Sequence, residues 1–263
     1  MKRSILLLVL IMIGISTCFA QLRKIKNETF IRGEYLKYKV YYESVLSGQI
    51  IAGDAELQIK KENKVIGGRN TYHVVGLGMS HGVINRFFKV VDRYETYIDE
   101  EAIVPWLFIR RVSEGSYKVS QDITFNQNKA IATSNTAIKK VPNNIQDIIS
   151  ALYYARTLDI TDAKLGSEYK VDFFLDDSVT TSKIKYMGKE TITIGLGTFK
   201  CVKFKPMVAT GKVFKDEYPM TLYVTDDKNH IPILAEAAIL VGKVKMELIT
   251  CNGLANPVTS RVK

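Results

Sequence analysis

FFKVVDRYETYID, residues Phe87–Asp99, decides the fold class. Side chains of a strand alternate between two faces. On that period Phe88, Val90, Asp92, Tyr94, Thr96 and Ile98 share a mostly apolar face, with Asp92 in its middle. Arg93, Glu95 and Tyr97 share the other. The same alternation recurs in GEYLKYKVYYES (33–44), GDAELQIKKEN (53–63), VPWLFIRRV (104–112) and YKVSQDITF (117–125). It resumes in EYKVDFFLDD (168–177), TFKCVKFKP (198–206), MTLYVTDD (220–227) and GKVKMELIT (242–250). These are short runs rich in Val, Ile, Thr, Tyr and Phe. Turn signals such as Gly67-Gly68, Glu114-Gly115 and Asp176-Asp177 separate them. The pattern predicts a mainly β protein of sequential antiparallel hairpins, forming curved sheets or an open barrel.

One segment breaks the rhythm. VPNNIQDIISALYYARTLD places Ile145, Ile148, Ile149 and Leu152 on a helical stripe. It predicts one packed amphipathic helix over 144–157, with Asn144 as its cap and Asp147 in a capping-box position. A second short helical turn is expected at 80–86. No Pro-, Gly- or Ser-rich linker divides the chain, so 21–263 reads as one β-rich domain.

The N-terminus MKRSILLLVLIMIGISTCFAQ has the layout of a secretory signal peptide: Lys2 and Arg3, an apolar run over 5–15, then small or polar residues. That run falls far short of the ~20 residues that span a bilayer. Cleavage is expected after Ala20, with lipid attachment at Cys18 as the rival. Loss of 1–20 removes two cations and no acid, lowering the formal charge from +10 to +8. A basic exported protein favours anionic membrane surfaces as peripheral contacts. Export, scattered lysines and the lack of a nucleic-acid motif argue against nucleic acid. Cys201 and Cys251 would remain, either as a disulfide or as two buried thiols.

Asp92 is the chemical question. If Ile98 pairs with Ile103 in the hairpin of 90–112, Asp92 faces Ile109 with Arg111 on its diagonal. A one-residue slip would bring Arg110 instead. A buried carboxylate needs a partner, and the guanidinium fork suits it, so a structural Asp92–Arg111 pair is expected. The functional alternative places Asp92, Tyr94, Trp106 and Arg111 in a ligand cavity. On the other face, Arg93 is expected to lie over Phe108. His73, His81 and His230 lack metal-ligand spacing, and the Asp226, Asp227 and Asn229 group reads as a hairpin turn. No metal, cofactor or nucleophile signature is visible.

GEYLKYKVYYE, FFKVVDRYETYID, PWLFIRRVSEG, DIISALYYAR, GLGTFKCVKFKP and VTDDKNHIPI together resemble the exported family called domain of unknown function 3108. The resemblance implies a Gram-negative envelope protein of Bacteroides type with a curved sheet or open barrel, broadly like periplasmic lipoprotein carriers. It implies no settled activity. Strands such as FFKVV, VPWLFI and AAILVG are apolar on both faces, so they enclose a packed core or a lipid-sized cavity. The expectation is a periplasmic binding or carrier module for a hydrophobic or lipid-like ligand. The alternative is an envelope assembly factor acting through a protein partner. A hydrolase with a site assembled from distant residues is the third reading.

Overall fold

The computed structural model describes residues 22–46, 48–207 and 217–262. The expected signal peptide, its cleavage point after Ala20 and the rival site at Cys18 lie outside these residues. In chain order the strands are β1 (Tyr35–Ser44), β2 (Gly48–Ile59), β3 (Lys64–Ile66), β4 (Arg69–Ser80), β5 (Val91–Asp99), β6 (Pro105–Glu114), β7 (Tyr117–Asn126), β8 (Ile131–Thr133) and β9 (Ile138–Lys140). They continue with β10 (Glu168–Leu175), β11 (Ser178–Ile194), β12 (Gly197–Pro206), β13 (Met220–Thr225), β14 (Pro232–Ala238) and β15 (Lys243–Asn252). Two helices are described, α1 (Gly82–Phe87) and α2 (Ile148–Arg156).

All strands join one 15-stranded antiparallel sheet, in the order β10-β11-β12-β13-β14-β15-β1-β2-β4-β5-β6-β7-β8-β9, with β3 paired to β4 alone. The alternation in the sequence is the cause: hairpin neighbours pair because each strand has one face to bury. The first and last strands meet in mid-sheet, where Tyr35 pairs with Asn252 and Glu43 with Lys243. Since neighbours along the path run antiparallel, alternate connections fall at opposite ends. The β1–β2, β4–β5, β6–β7, β8–β9, β10–β11, β12–β13 and β14–β15 connections form one rim. The remaining turns and the segments leading to both termini lie at the basal end.

The sheet curls until its two ends approach, and the seam is closed by packing. Phe125 of β7 meets Phe174 of β10 edge to face at 6.3 Å. Gln146 donates its N–H to the Asp172 carbonyl at 2.9 Å and accepts from Phe174 N at 2.8 Å, so it pairs with the free edge of β10. Its side chain donates to the Ile103 carbonyl at 2.9 Å, tying that edge to the β5–β6 turn.

α2 begins later than the stripe suggested. Asn144 has a positive φ of 58° and is not the cap. Asp147 is the cap: its carboxylate accepts from Ile149 N and Ser150 N at 2.8 Å each. The Ser150 hydroxyl closes the box by accepting from Asp147 N at 2.9 Å. The short helical turn expected near 80–86 is α1, one residue or two further on. α2 is apolar on two adjoining faces. Ile149 and Tyr153 pack against Phe30, Ile59, Val74 and Ile98. Gly76 permits this approach, because a Cβ there would meet Leu57 Cδ2 at 3.3 Å and Ile149 Cδ1 at 3.5 Å. On the other apolar face Ile148 packs at its edge against the cluster of Phe108, Ile123, Phe125 and Phe174, and the rest borders open space.

The register of β5 and β6 differs from the expectation. Ile98 pairs with Pro105 and Tyr97 with Leu107, with a bulge between them. The chain turns later than assumed, since Asp99 accepts Ile103 N at 3.0 Å before β6 begins. Such an extra residue reassigns every face downstream. Phe108 therefore lies opposite Thr96 and stacks on Tyr94 at 6.2 Å, and Arg93 bonds Glu95 rather than lying over Phe108.

Candidate functional site

The second apolar face of α2 borders a cavity of about 730 Å³. Ile148, Ala151, Leu152 and Ala155 form its helical wall. Phe173, Ile184, Phe204, Leu222 and Met246 face them from β10, β11, β12, β13 and β15. The volume lies within the roughly 300–1,000 Å³ of small-molecule sites, which are mostly apolar with few polar groups. The cavity extends from Arg156 and His230 at the basal end to Leu175, Ser178, Met207 and Met220 at the rim end.

The basal wall is fixed by a buried ion pair. Arg156 donates Nη1 to Glu34 Oε1 at 2.6 Å and Nη2 to Oε2 at 2.7 Å. The fork is the geometry that makes such pairs strong. Nη2 also donates to the Asn229 carbonyl at 3.0 Å. Burial alone would lower the Arg156 pKa, but the Glu34 carboxylate outweighs it and holds the guanidinium firmly charged. His230 Nδ1 lies 2.7 Å from the Arg156 carbonyl, and since a carbonyl only accepts, that nitrogen carries the proton. Tyr38 lies against the pair, and burial pushes its phenol well above the usual range, so it stays neutral.

The four residues singled out from the sequence sit elsewhere; none lines this cavity. Asp92 is buried, and its Oδ1 accepts from Ser113 N at 3.0 Å. The expected Asp92–Arg111 pair does not form, because Arg111 is exposed and bonds Asp122 at 2.6 Å. With Val90 bridged to Glu114 and Arg93 to Arg111, the register puts Arg110, not Arg111, on the face of Asp92 and Tyr94. Arg110 is buried and pairs with Asp176, which borders the cavity at the rim. Burial raises the Glu114 carboxyl, and neighbouring Asp92 raises it further. Tyr94 packs against Phe108, and burial pushes its phenol up to about 12.

Trp106 is buried and donates Nε1 to Asp99 Oδ2 at 2.9 Å. Asp99, read from sequence only as a turn residue, is fully buried and also accepts from Arg69, Glu101 N and Ala102 N. Burial alone would raise its carboxyl, but the Arg69 and Trp106 hydrogen bonds outweigh it and hold it below the usual range. Cys201 and Cys251 are free thiols in one apolar cluster, not a disulfide. His73 bonds Glu95 at 2.7 Å and His81 bonds Asp54 at 3.2 Å. No metal-holding cluster occurs among the described residues. Asp227 organises the 226–231 turn by accepting from Thr225 Oγ1, Asn229 N and Ser260 Oγ.

The sequence profile described as Protein of unknown function (DUF3108) matches residues 37–249. The chain belongs to the DUF3108 family. The match takes in β1 to β15 and α2, so every wall of the cavity lies within the DUF3108 region. A β-barrel-like protein of domain of unknown function DUF1849 from Brucella abortus has the same fold, at a TM-score of 0.52, 11% identity, 88% of this chain and 99% of that chain. A provisionally named lipoprotein from Parabacteroides distasonis ATCC 8503 aligns over 88% of this chain and 100% of its own, at 15% identity and a TM-score of 0.38. A provisionally named exported protein with a YmcC-like fold from Bacteroides fragilis NCTC 9343 aligns over 88% and 100%, at 11% identity and a TM-score of 0.34. No match was found among curated proteins.

Proposed function

We propose that this DUF3108 protein is an exported, non-enzymatic binding or carrier module that holds a hydrophobic or lipid-like ligand between α2 and the sheet. The observation that carries the reading is the apolar cavity of about 730 Å³. Domain interiors are otherwise close-packed, with few voids larger than a water molecule. An apolar space of this size is maintained by the wall geometry: Glu34 and Arg156 anchor α2 at one end, and its cap at Asp147 fixes the other. The leader-like N-terminus supports export, and with it a site in the periplasm or envelope.

The test is native mass spectrometry of protein purified from a Gram-negative periplasm, followed by titration with a fluorescent long-chain fatty acid. A reproducible extra mass lost on denaturation, and saturable probe binding, are expected. Ala155→Phe places a ring in the cavity and should weaken the probe about ten-fold or more while leaving the fold intact. A clean apo mass together with no saturable binding, or a probe affinity untouched by Ala155→Phe, would rule the reading out and favour envelope assembly through protein contacts.

A further inference from the structure

The two ends of the sheet differ in how they treat apolar side chains. At the basal end, Ala102, Ile103 and Val104 are 0% exposed and Ile231 is 1% exposed. Those turns are tied down: Arg23 donates to the Ala102 carbonyl at 2.8 Å, and Asn229 donates to the Asn256 carbonyl at 3.0 Å. Exposed large apolar residues of the basal segments, such as Ile31, Val65 and Val262, stand one to a segment, whereas at the rim such residues reach higher exposure and come in groups. Val45 and Leu46, between β1 and β2, are 104% and 98% exposed. Phe87 of α1 is 84% exposed, and Val241, between β14 and β15, is 68% exposed. Val83, Phe88 and Leu240 stand exposed beside them.

These residues come from three connections that the strand order makes neighbours, since β14, β15, β1, β2 and β4 are consecutive. Tyr42 Oη donates to the Val241 carbonyl at 3.0 Å, and His81 N donates to the Ala52 carbonyl at 2.8 Å, so the tips are held together. Contiguous exposed apolar residues mark an interaction surface. Their form indicates the partner. They project from turns and from the short α1, beyond the strand ends, rather than forming a flat face, and the exposed cations Arg86 and Lys89 flank them. Apolar side chains at the level of the acyl boundary with cations at headgroup level is the arrangement of interfacial membrane anchors. The cavity also reaches this end, through Leu175, Met207 and Met220.

We infer that this rim docks on an anionic lipid bilayer, inserting the 45–46, 83–88 and 240–241 tips into the interface. The inference goes beyond ligand binding and stands without it. It is tested by floating the purified protein with vesicles of phosphatidylethanolamine and phosphatidylglycerol in equal parts, against pure phosphatidylcholine. Binding to the anionic vesicles is expected, weakening as salt rises. The combined Leu46→Ser, Phe87→Ser and Val241→Ser variant should lose about ten-fold or more of it, with an unchanged thermal midpoint and unchanged fatty-acid probe binding. Phe87→Trp adds a reporter against the constant background of buried Trp106, and its emission should shift to the blue on vesicle addition. Wild-type protein that stays in the soluble fraction with both vesicles, a triple variant that floats like wild type, or an unshifted emission would overturn the inference. So would concentration-dependent dimerisation through the rim without vesicle binding. Because probe binding is read separately, loss of the cavity reading and loss of the membrane reading give different results.

Discussion

Removing the carboxylate of Glu34 would strand the Arg156 guanidinium in the interior, where it keeps only the Asn229 carbonyl and whatever water reaches it. Breaking one half of a buried pair costs about 3–5 kcal/mol, more than the pair itself contributes. Glu34→Gln should therefore lower the urea midpoint steeply. Glu34→Met combined with Arg156→Met should lose much less, and equal losses would show that the pair does more than neutralise itself. At Asp92 the prediction is the reverse. Since Arg111 bonds Asp122 in solvent, Asp92→Asn and Arg111→Met should be additive in unfolding free energy to within about 0.5 kcal/mol. Burial of Asp92 was legible from its apolar face. Its partner was not, because the β5–β6 bulge and the late turn around Asp99 shift the register, and nothing in the alternation of PWLFIRR marks them. Asp99 went unread for a related reason: an acid in a turn looks like a solvated one unless the donors converging on it are known.

At the level of elements, α2 rests on a capping carboxylate that is itself fully buried. Burial raises the Asp147 carboxyl to about 6, even though Thr96, Ser150 and Ile149 donate to it. A carboxyl whose folded pKa lies above its unfolded one binds more protons folded than unfolded. Its contribution is then fully present below about pH 4 and is lost as pH rises through about 6. Asp147→Asn keeps a competent cap but removes the titration. The wild type should lose on the order of 1–3 kcal/mol more than the variant between pH 4 and pH 7. Parallel stability curves from chemical denaturation would contradict this. The existence of α2 could be read from its stripe, while its start could not. Pro142, Asn144 and Asp147 are all plausible punctuation, and only the pairing of Gln146 with β10 shows that the chain is still extended there. The two apolar faces of α2 were visible as Ile148, Ile149, Leu152 and Tyr153. Which of them packs and which borders empty space depends on strands from both halves of the sheet.

On the scale of the whole molecule, the antiparallel meander was legible because each strand announces its own period and each turn its own residues. The curved sheet or open barrel was legible as a class, but that all the described strands join one sheet, and where its cavity lies, was not, since these follow from how many strands twist in the same sense and from where the path closes. The segments leading to the two termini meet at the basal end, beside the paired β1 and β15. Since those segments touch at Asn256 and Glu28 and then diverge, a permutant joining residue 262 to residue 22 through a flexible Gly/Ser linker, with new ends between Gly115 and Ser116 at the rim, should fold and bind the fatty-acid probe as the parent does. Failure to fold by circular dichroism would mean that the β6–β7 turn is needed for more than connection.

The mid-sheet pairing of β1 with β15 also orders events in time. Synthesis delivers β1 first and β15 last, so a growing chain holds β1 with one of its edges unpaired until residue 252 has emerged. The halves β1–β9 and β10–β15 are each built from sequential hairpins and can form locally, but neither can be zipped to the other before the chain is complete. Joining them demands contacts spanning almost the full sequence, the topology that makes β proteins fold in milliseconds to seconds or slower. Such a chain remains unlocked throughout its own translation, which suits the export proposed above, in which the polypeptide is threaded through a pore before it closes.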